Sequence, residues 1–132
     1  IRDRNNTDCI NCSNDLDWKF IATVKKSVED NMDNPSFNVD VLCNLLNMSR
    51  TSFYNKIKAL TDQAPADYIR LIRLKHAAQL LKEQKHTITE ISELTGFSDA
   101  KYFREVFKKH FNMSPSQYAK RGKEGKDDKE IK

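Results

Sequence analysis

Two short runs of this chain carry, at matching positions, side chains suited to one kind of chemistry. The first is Ser49-Arg-Thr-Ser-Phe-Tyr-Asn-Lys-Ile-Lys58, and the second is Ser98-Asp-Ala-Lys-Tyr-Phe-Arg-Glu-Val-Phe-Lys-Lys109. On a helix at about 100° per residue, with Phe53 at 0°, Ile57 and Leu60 fall within about 40° of it. Thr51, Asn55 and Lys58 then lie near the opposite pole, with Ser52 and Tyr54 at its flanks. In the second run Phe103, Val106 and Phe107 form the apolar side. Lys101, Glu105 and Lys108 take the opposite pole, and Arg104 lies beside them. Amides, hydroxyls, carboxylates and guanidinium groups read base edges in a DNA groove, and basic and hydroxyl side chains hold backbone phosphates. The base-facing candidates are therefore Thr51, Ser52, Asn55, Lys101, Arg104 and Glu105. The phosphate candidates are Ser49, Arg50, Tyr54, Lys58, Ser98, Lys108 and Lys109. Polar outer faces are common on solvated helices, so two helical hairpins without a ligand would share the periodicity. A helical protein-interaction module is the alternative: it would keep the apolar faces but would not need Lys, Arg or Asn at the outer pole.

Other chemistries find less support. Cys9-Ile-Asn-Cys12 has the spacing of half a zinc site or of a redox pair. A structural zinc takes four ligands, and no second Cys-x-x-Cys or His pair follows. The expectation is a solvated linker holding two thiols, with no metal or cofactor. Cys43 stands alone on an apolar face. His76, His86 and His110 are scattered over three different segments, away from any cysteine or carboxylate pair, so no enzyme is expected in this fragment.

The elements that position the two runs come as copies. Val39, Leu42, Leu45 and Met48 align with Ile88, Ile91, Leu94 and Phe97 at an offset of 49. Phe53, Ile57, Pro65 and Tyr68 align with Phe103, Phe107, Pro115 and Tyr118 at an offset of 50. Each copy has the layout of a helix-turn-helix. Asn38 and Thr87 are N-caps, and Thr87-x-x-Glu90 is a capping box. Asn47 and Gly96 suit the left-handed residue of a sharp exit. Met48 and Phe97 plug the elbow, and Ser49 and either Ser98 or Asp99 cap the second helices. Asp62 and Asn112 precede the Pro turns.

Between the copies lies Ala66–Gln84, a helix without internal Gly or Pro. Tyr68, Ile69 and Ile72 fall on one side of it, and Leu74, Ala77, Ala78 and Leu81 on nearly the opposite side, so it serves two cores. Its 19 positions span roughly 28 Å at about 1.5 Å per residue. That length suits two second helices near the ~34 Å that separates successive major-groove turns on one DNA face. Before the first copy, Leu16, Phe20, Val24 and Val28 recur every fourth position from Asp15 to Asn34, an amphipathic helix that Asp15 or Asp17 caps and Asn34-Pro35 ends.

The 132 residues carry 32% charged and 38% hydrophobic side chains with three Gly and three Pro, a composition that suits helices. Residues 35–120 hold 13 basic and 8 acidic groups, a net +5, while residues 1–34 hold 5 and 7, a net −2. A mildly basic middle permits a nucleic-acid partner. No apolar run approaches the ~20 residues of a membrane span, and the chain opens with Ile1, so it reads as an excised cytoplasmic fragment. The expected architecture is all-α, about seven helices. Residues 1–14 form a linker, 15–64 the first helix-turn-helix subdomain, 65–84 the shared helix, 85–119 the second subdomain and 120–132 a disordered tail.

The segment from about Phe37 to Tyr118 resembles the DNA-binding domain of the AraC/XylS family of transcription regulators. The resemblance rests on Arg73-Leu-Lys75-His-Ala-Ala-Gln-Leu-Leu81, on Ile88-x-x-Ile91-x-x-x-x-Gly96-Phe97, on Tyr102-Phe103-x-x-x-Phe107-Lys108 and on Met113-Ser-Pro115-x-x-Tyr118. It implies two helix-turn-helix subdomains on one shared helix, each sending its second helix into the major groove of double-stranded DNA. It places Thr51, Asn55, Lys101, Arg104 and Glu105 at base-facing positions, with two unlike half-sites about one turn apart. Asp62 and Asn112 stand where the family usually has Gly, and Glu105 where a basic or amide residue is commoner. The lead into Pro35 looks most like AraC-type output domains of Bacteroidetes hybrid two-component sensors, many of which control glycan-utilisation genes. That likeness implies a response-regulator output acting as an activator. It also implies RNA polymerase and the other parent domains, a histidine kinase among them, as partners, with no membrane contact by this fragment.

Overall fold

The computed structural model describes residues 9–121; residues 1–8 of the expected linker and 122–132 of the expected tail lie outside them. The caps and apolar spacing of the two copies produce two helix pairs of equal length. All regular secondary structure among the described residues is helical, without strands. The helices are α1 (Asp15–Asp30), α2 (Val39–Leu45), α3 (Arg50–Thr61), α4 (Pro65–Glu83), α5 (Ile88–Leu94), α6 (Ala100–Phe111) and α7 over residues 115–121. Two compact units result. One holds the chain through Met32 together with Ser36–Ile72, and the other holds Asp33–Pro35 and the chain from Arg73 onward.

In the first unit Asn14, rather than Asp15 or Asp17, caps the start of α1. Asn14 Oδ1 accepts the Asp17 amide at 2.9 Å. Asp15 and Asp17 occupy the first turn, where negative charge suits the helix dipole. The helix stops at Asp30, ahead of Asn34-Pro35, because the Asn31 amide turns back to the Val28 carbonyl and its side chain to that of Ser27. The buried stripe is Ile21, Val24 and Val28 with Phe20 beside it, whereas Leu16 is 74% exposed. Residues four apart advance about 40° per step, so the expected stripe swings about 120° from Val28 back to Leu16 and leaves the core.

The short helices face the core differently from expectation, and in the same way in both copies. Leu42 and Cys43 are buried in α2, and Ile91 and Ser92 in α5. Leu45 and Leu94, aligned as apolar repeat positions, are both exposed. A core face centred between residues 42 and 43 leaves position 45 about 110° away. The buried hydroxyls in α5 and its C-cap are satisfied locally. Ser92 Oγ donates to the Thr89 carbonyl and Thr95 Oγ1 to that of Ile91.

Both elbows close by one motif. The Met48 amide donates to Cys43 O at 3.0 Å and that of Asn47 to Asn44 O at 3.3 Å. Phe97 and Gly96 repeat this on Ser92 and Glu93 at 2.9 and 3.1 Å. The two reaching-back bonds need a left-handed residue at the exit, and Asn47 (φ 54°) and Gly96 (φ 80°) supply it. Asp62 and Asn112 end α3 and α6 in the same conformation, both at φ 62°.

Helix α4 serves two cores, as its swapped stripe requires. Tyr68, Ile69 and Ile72 join Phe53, Ile57 and the α1 stripe. Leu74, Ala77, Ala78 and Leu81 join Ile91, Phe97, Phe103 and Phe107. The second core is a chain of rings, with centroids 5.1 Å apart for Phe97–Phe103, 5.7 Å for Phe103–Phe107 and 5.4 Å for Phe107–Tyr118. Arg73, 5% exposed, lies among the buried residues of the second unit. It donates to Thr95 O at 2.8 Å and to Asn34 O at 3.1 Å. Burial lowers its pKa from the ordinary arginine value, but a guanidinium remains charged at any physiological pH.

Candidate nucleic-acid interface

The outer faces of α3 and α6 are set by what their inner faces bury. Phe53 and Ile57 are 0% exposed and Leu60 is 7%; Phe103 and Phe107 are both 0%. With one side of each helix committed to a core, the other is solvent-facing. All thirteen candidate residues are exposed: Ser49, Arg50, Thr51, Ser52, Tyr54, Asn55 and Lys58 in the first unit, and Ser98, Lys101, Arg104, Glu105, Lys108 and Lys109 in the second. The structure brings each set together on one short helix and its N-terminal flank.

Each helix begins at a capped turn. Ser49 Oγ accepts the Ser52 amide at 3.0 Å. In α6 the cap is Asp99, whose Oδ1 accepts the Lys101 amide at 2.9 Å, so Ser98 is left outside the helix. Two of the phosphate candidates have partners of their own. Arg50 Nε sits 2.9 Å from Asp40 Oδ1, an exposed ion pair from α3 to the first turn of α2. Lys58 Nζ reaches the Asp62 carbonyl at 3.4 Å, closing the C-terminal turn of α3. The ion pair has no counterpart in the second copy, where Ala100 and Thr89 replace Arg50 and Asp40.

The two faces therefore differ in chemistry. The α3 face is mainly neutral, with hydroxyls, one amide and a Tyr54 ring that is 47% exposed. The α6 face carries Lys101, Arg104, Lys108 and Lys109 against a single Glu105. Tyr102, at the repeat position of Ser52, was not among the sequence candidates. It is 43% exposed, and its ring lies 6.2 Å from that of Phe97. The offset of 50 was the signal that could have found it. Arg73 was also missed, although it stands one helical step from Ile69 and from Ala77, on a buried line of α4.

The other candidates do not converge. His76, His86 and His110 are all exposed, on α4, on the α4–α5 connection and on α6. Among the described residues no group of three or more His, Cys, Asp or Glu could hold a metal ion, and no helix is long and apolar enough to cross a membrane. Cys9 and Cys12 depart from the solvated linker: they form a disulfide with Cα atoms 5.6 Å apart, and Cys9 is 8% exposed.

With this geometry in hand, the likeness to known proteins is specific. A helix-turn-helix domain family matches residues 42–121. The chain is 46% identical over 106 residues to histidine kinase P4 of Formosa agariphila, spanning 80% of this chain and 8% of that protein's length. Its fold is similar to the C-terminal domain of the two-component response regulator yesN from Fusobacterium nucleatum, with a TM-score of 0.68, 28% identity and coverage of 74% and 95% of the two chains. It is equally similar to the DNA-binding domain of the global transcriptional factor AdpA, solved with a target DNA, at a TM-score of 0.68, 26% identity and coverage of 74% and 87%. Duplicated helix-turn-helix units of equal length, one helix shared between two cores and these matches have one meaning: the chain belongs to the AraC-type helix-turn-helix family.

Proposed function

We propose that this domain binds specific double-stranded DNA through the outer faces of α3 and α6 and thereby regulates transcription. The observation that carries the reading is the pair of equivalent helices, each pinned by buried aromatics and presenting a continuous polar face after a closed turn. Thr51, Ser52, Asn55, Lys101, Arg104 and Glu105 read base edges. Ser49, Tyr54, Ser98, Lys108 and Lys109 hold phosphates. Arg50 and Lys58 do so after giving up their internal partners. Because the faces differ, one chain reads two unlike half-sites, about one helical turn apart. Glu105 accepts from a cytosine amino group rather than contacting guanine or phosphate.

The domain is the non-catalytic output of a larger cytoplasmic signalling chain, an activator that contacts RNA polymerase and answers to other domains of its parent. The kinase and response-regulator relatives support a two-component parent, and genes of glycan utilisation are its targets. Selection from a random duplex pool, followed by anisotropy titrations of selected and scrambled duplexes across salt, tests the DNA reading. A selected site bound far tighter than its scramble, with log affinity falling linearly in log salt, is expected. Equal affinity for both, or a preference for RNA, would refute it.

A further inference from the structure

We infer that Cys9 and Cys12 form a redox-controlled clamp that seats residues 9–12 on the C-terminal end of α3. The last four carbonyls of a helix have no partner within it. Two of those in α3 are taken by Asn11, which lies between the two cysteines. Its amide donates to Leu60 O at 3.0 Å and its Nδ2 to Ala59 O at 2.9 Å. The flanking sulfurs are joined, Cys9 is buried with the first core, and Cys12 packs against it. The bond thus closes a four-residue ring whose inner residue caps a helix remote in sequence. Among the described residues of the segment nothing else does this work: Ile10 is 68% exposed, and Ser13 bonds locally to Asp17.

The chemistry balances with ordinary cellular partners. A protein dithiol of the thioredoxin class opens the clamp. Its thiolate attacks the sulfur of Cys12, the less buried of the pair, and the Cys9 thiolate leaves and takes a proton. The second thiol of the dithiol then displaces Cys12, and the reductant departs as its disulfide. Hydrogen peroxide closes the clamp. The Cys12 thiolate attacks one peroxide oxygen with loss of hydroxide, and Cys9 displaces the second hydroxide from the resulting sulfenic acid, so both oxygens end as water. In a reducing compartment the clamp rests open and closes under oxidation. The inference holds whether or not α3 reads DNA.

Amide hydrogen exchange by NMR, on the chain oxidised with hydrogen peroxide and then reduced with dithiothreitol, reads the clamp directly. Closing a ring of four residues restricts the open ensemble by about twentyfold, so the Asn11 amide should exchange about twentyfold faster on reduction. The Phe103 amide, in the second unit, should not change. Thiol titration in denaturant should count Cys43 alone before reduction and all three cysteines after it. Cys12→Ala, which spares the buried sulfur, should exchange fast at Asn11 with or without reductant. A change below about threefold at Asn11, three free thiols after peroxide, or a Cys12→Ala variant that still responds to dithiothreitol would each overturn the clamp.

Discussion

Replacing Arg73 with methionine tests how a buried cation holds the second helix-turn-helix. Methionine keeps most of the apolar stem and deletes the guanidinium, with its bonds to Thr95 O at 2.8 Å and Asn34 O at 3.1 Å. The two acceptors then fare differently. Asn34 is exposed and its carbonyl can turn to water, whereas Thr95 is 0% exposed. A buried acceptor left unpaired costs about 1–3 kcal/mol. Against this, methionine avoids the desolvation that lowers the Arg73 pKa, and an apolar replacement recovers part of the loss of a buried ion. The balance is a loss of about 2 kcal/mol. Arg73→Ala also strips the stem that packs in α4, and should cost about 3–5 kcal/mol, in the range of large core truncations. For a domain of this size 1 kcal/mol is about 4 °C in Tm, so methionine should lower Tm by about 8 °C and alanine by about 12–20 °C, followed at 222 nm. Because a guanidinium stays charged, neither loss should vary between pH 5 and 9. A methionine variant within 2 °C of the parent, or an alanine variant no worse than methionine, would refute the idea that Arg73 is a structural cation.

Four further outcomes are expected. Phe53→Ala and Phe103→Ala, each emptying a site of 0% exposure, should cost about 3–5 kcal/mol in urea unfolding; a cost below about 1 kcal/mol would put these rings at the surface. Glu90 accepts the Thr87 amide, which holds its carboxyl below the ordinary glutamate range. A depressed folded pKa stabilises above the unfolded value of about 4.3 and is lost as pH falls through the folded one. Glu90→Gln should therefore lower Tm at pH 7 and converge with the parent as pH falls from about 4.3 through the lowered folded pKa, and a Tm difference independent of pH would contradict this. Asn55→Ala and Lys101→Ala should each cost about 1–3 kcal/mol of DNA affinity and relax preference at one or two base pairs, while Lys108→Ala should weaken all duplexes alike and shallow the salt slope by about one; the reverse pattern in a selection experiment would invert the assignment. Inserting about five base pairs between half-sites turns the second to the far side of the duplex, so affinity should fall to that of one half; unchanged binding in a mobility-shift titration would rule out two sites read by one chain.

The helix-turn-helix fold was written in local signals. Seven-residue α2 and α5 and twelve-residue α3 and α6 follow from caps at Asn38, Thr87 and Ser49 and from left-handed exits at Asn47 and Gly96. Each of these is a choice among near neighbours in sequence. The outer faces of α3 and α6 were legible for the same reason: one strong aromatic, Phe53 or Phe103, orients a helix of three turns. The swap of sides at Ile72 to Leu74 announced two cores on one helix. Short or ragged stripes were less informative. In α1 a period of four drifts off the core face, and in α2 and α5 a helix of two turns offers two plausible inner edges, so only packing decided that Leu16, Leu45 and Leu94 face outward.

Tertiary structure alone decided the partners that lie far apart in sequence. Arg73 finds Thr95 and Asn34 at separations of 22 and 39 residues, and Asn11 finds Ala59 at 48. Arg50 reaches Asp40 on a different helix. The sequence by itself determined where the paired helices begin and end and which sides of α3, α4 and α6 point in, because helical period and capping act within a few residues. It left undetermined which buried or terminal polar group completes which, because every carbonyl accepts equally well until the folded chain brings one donor to it.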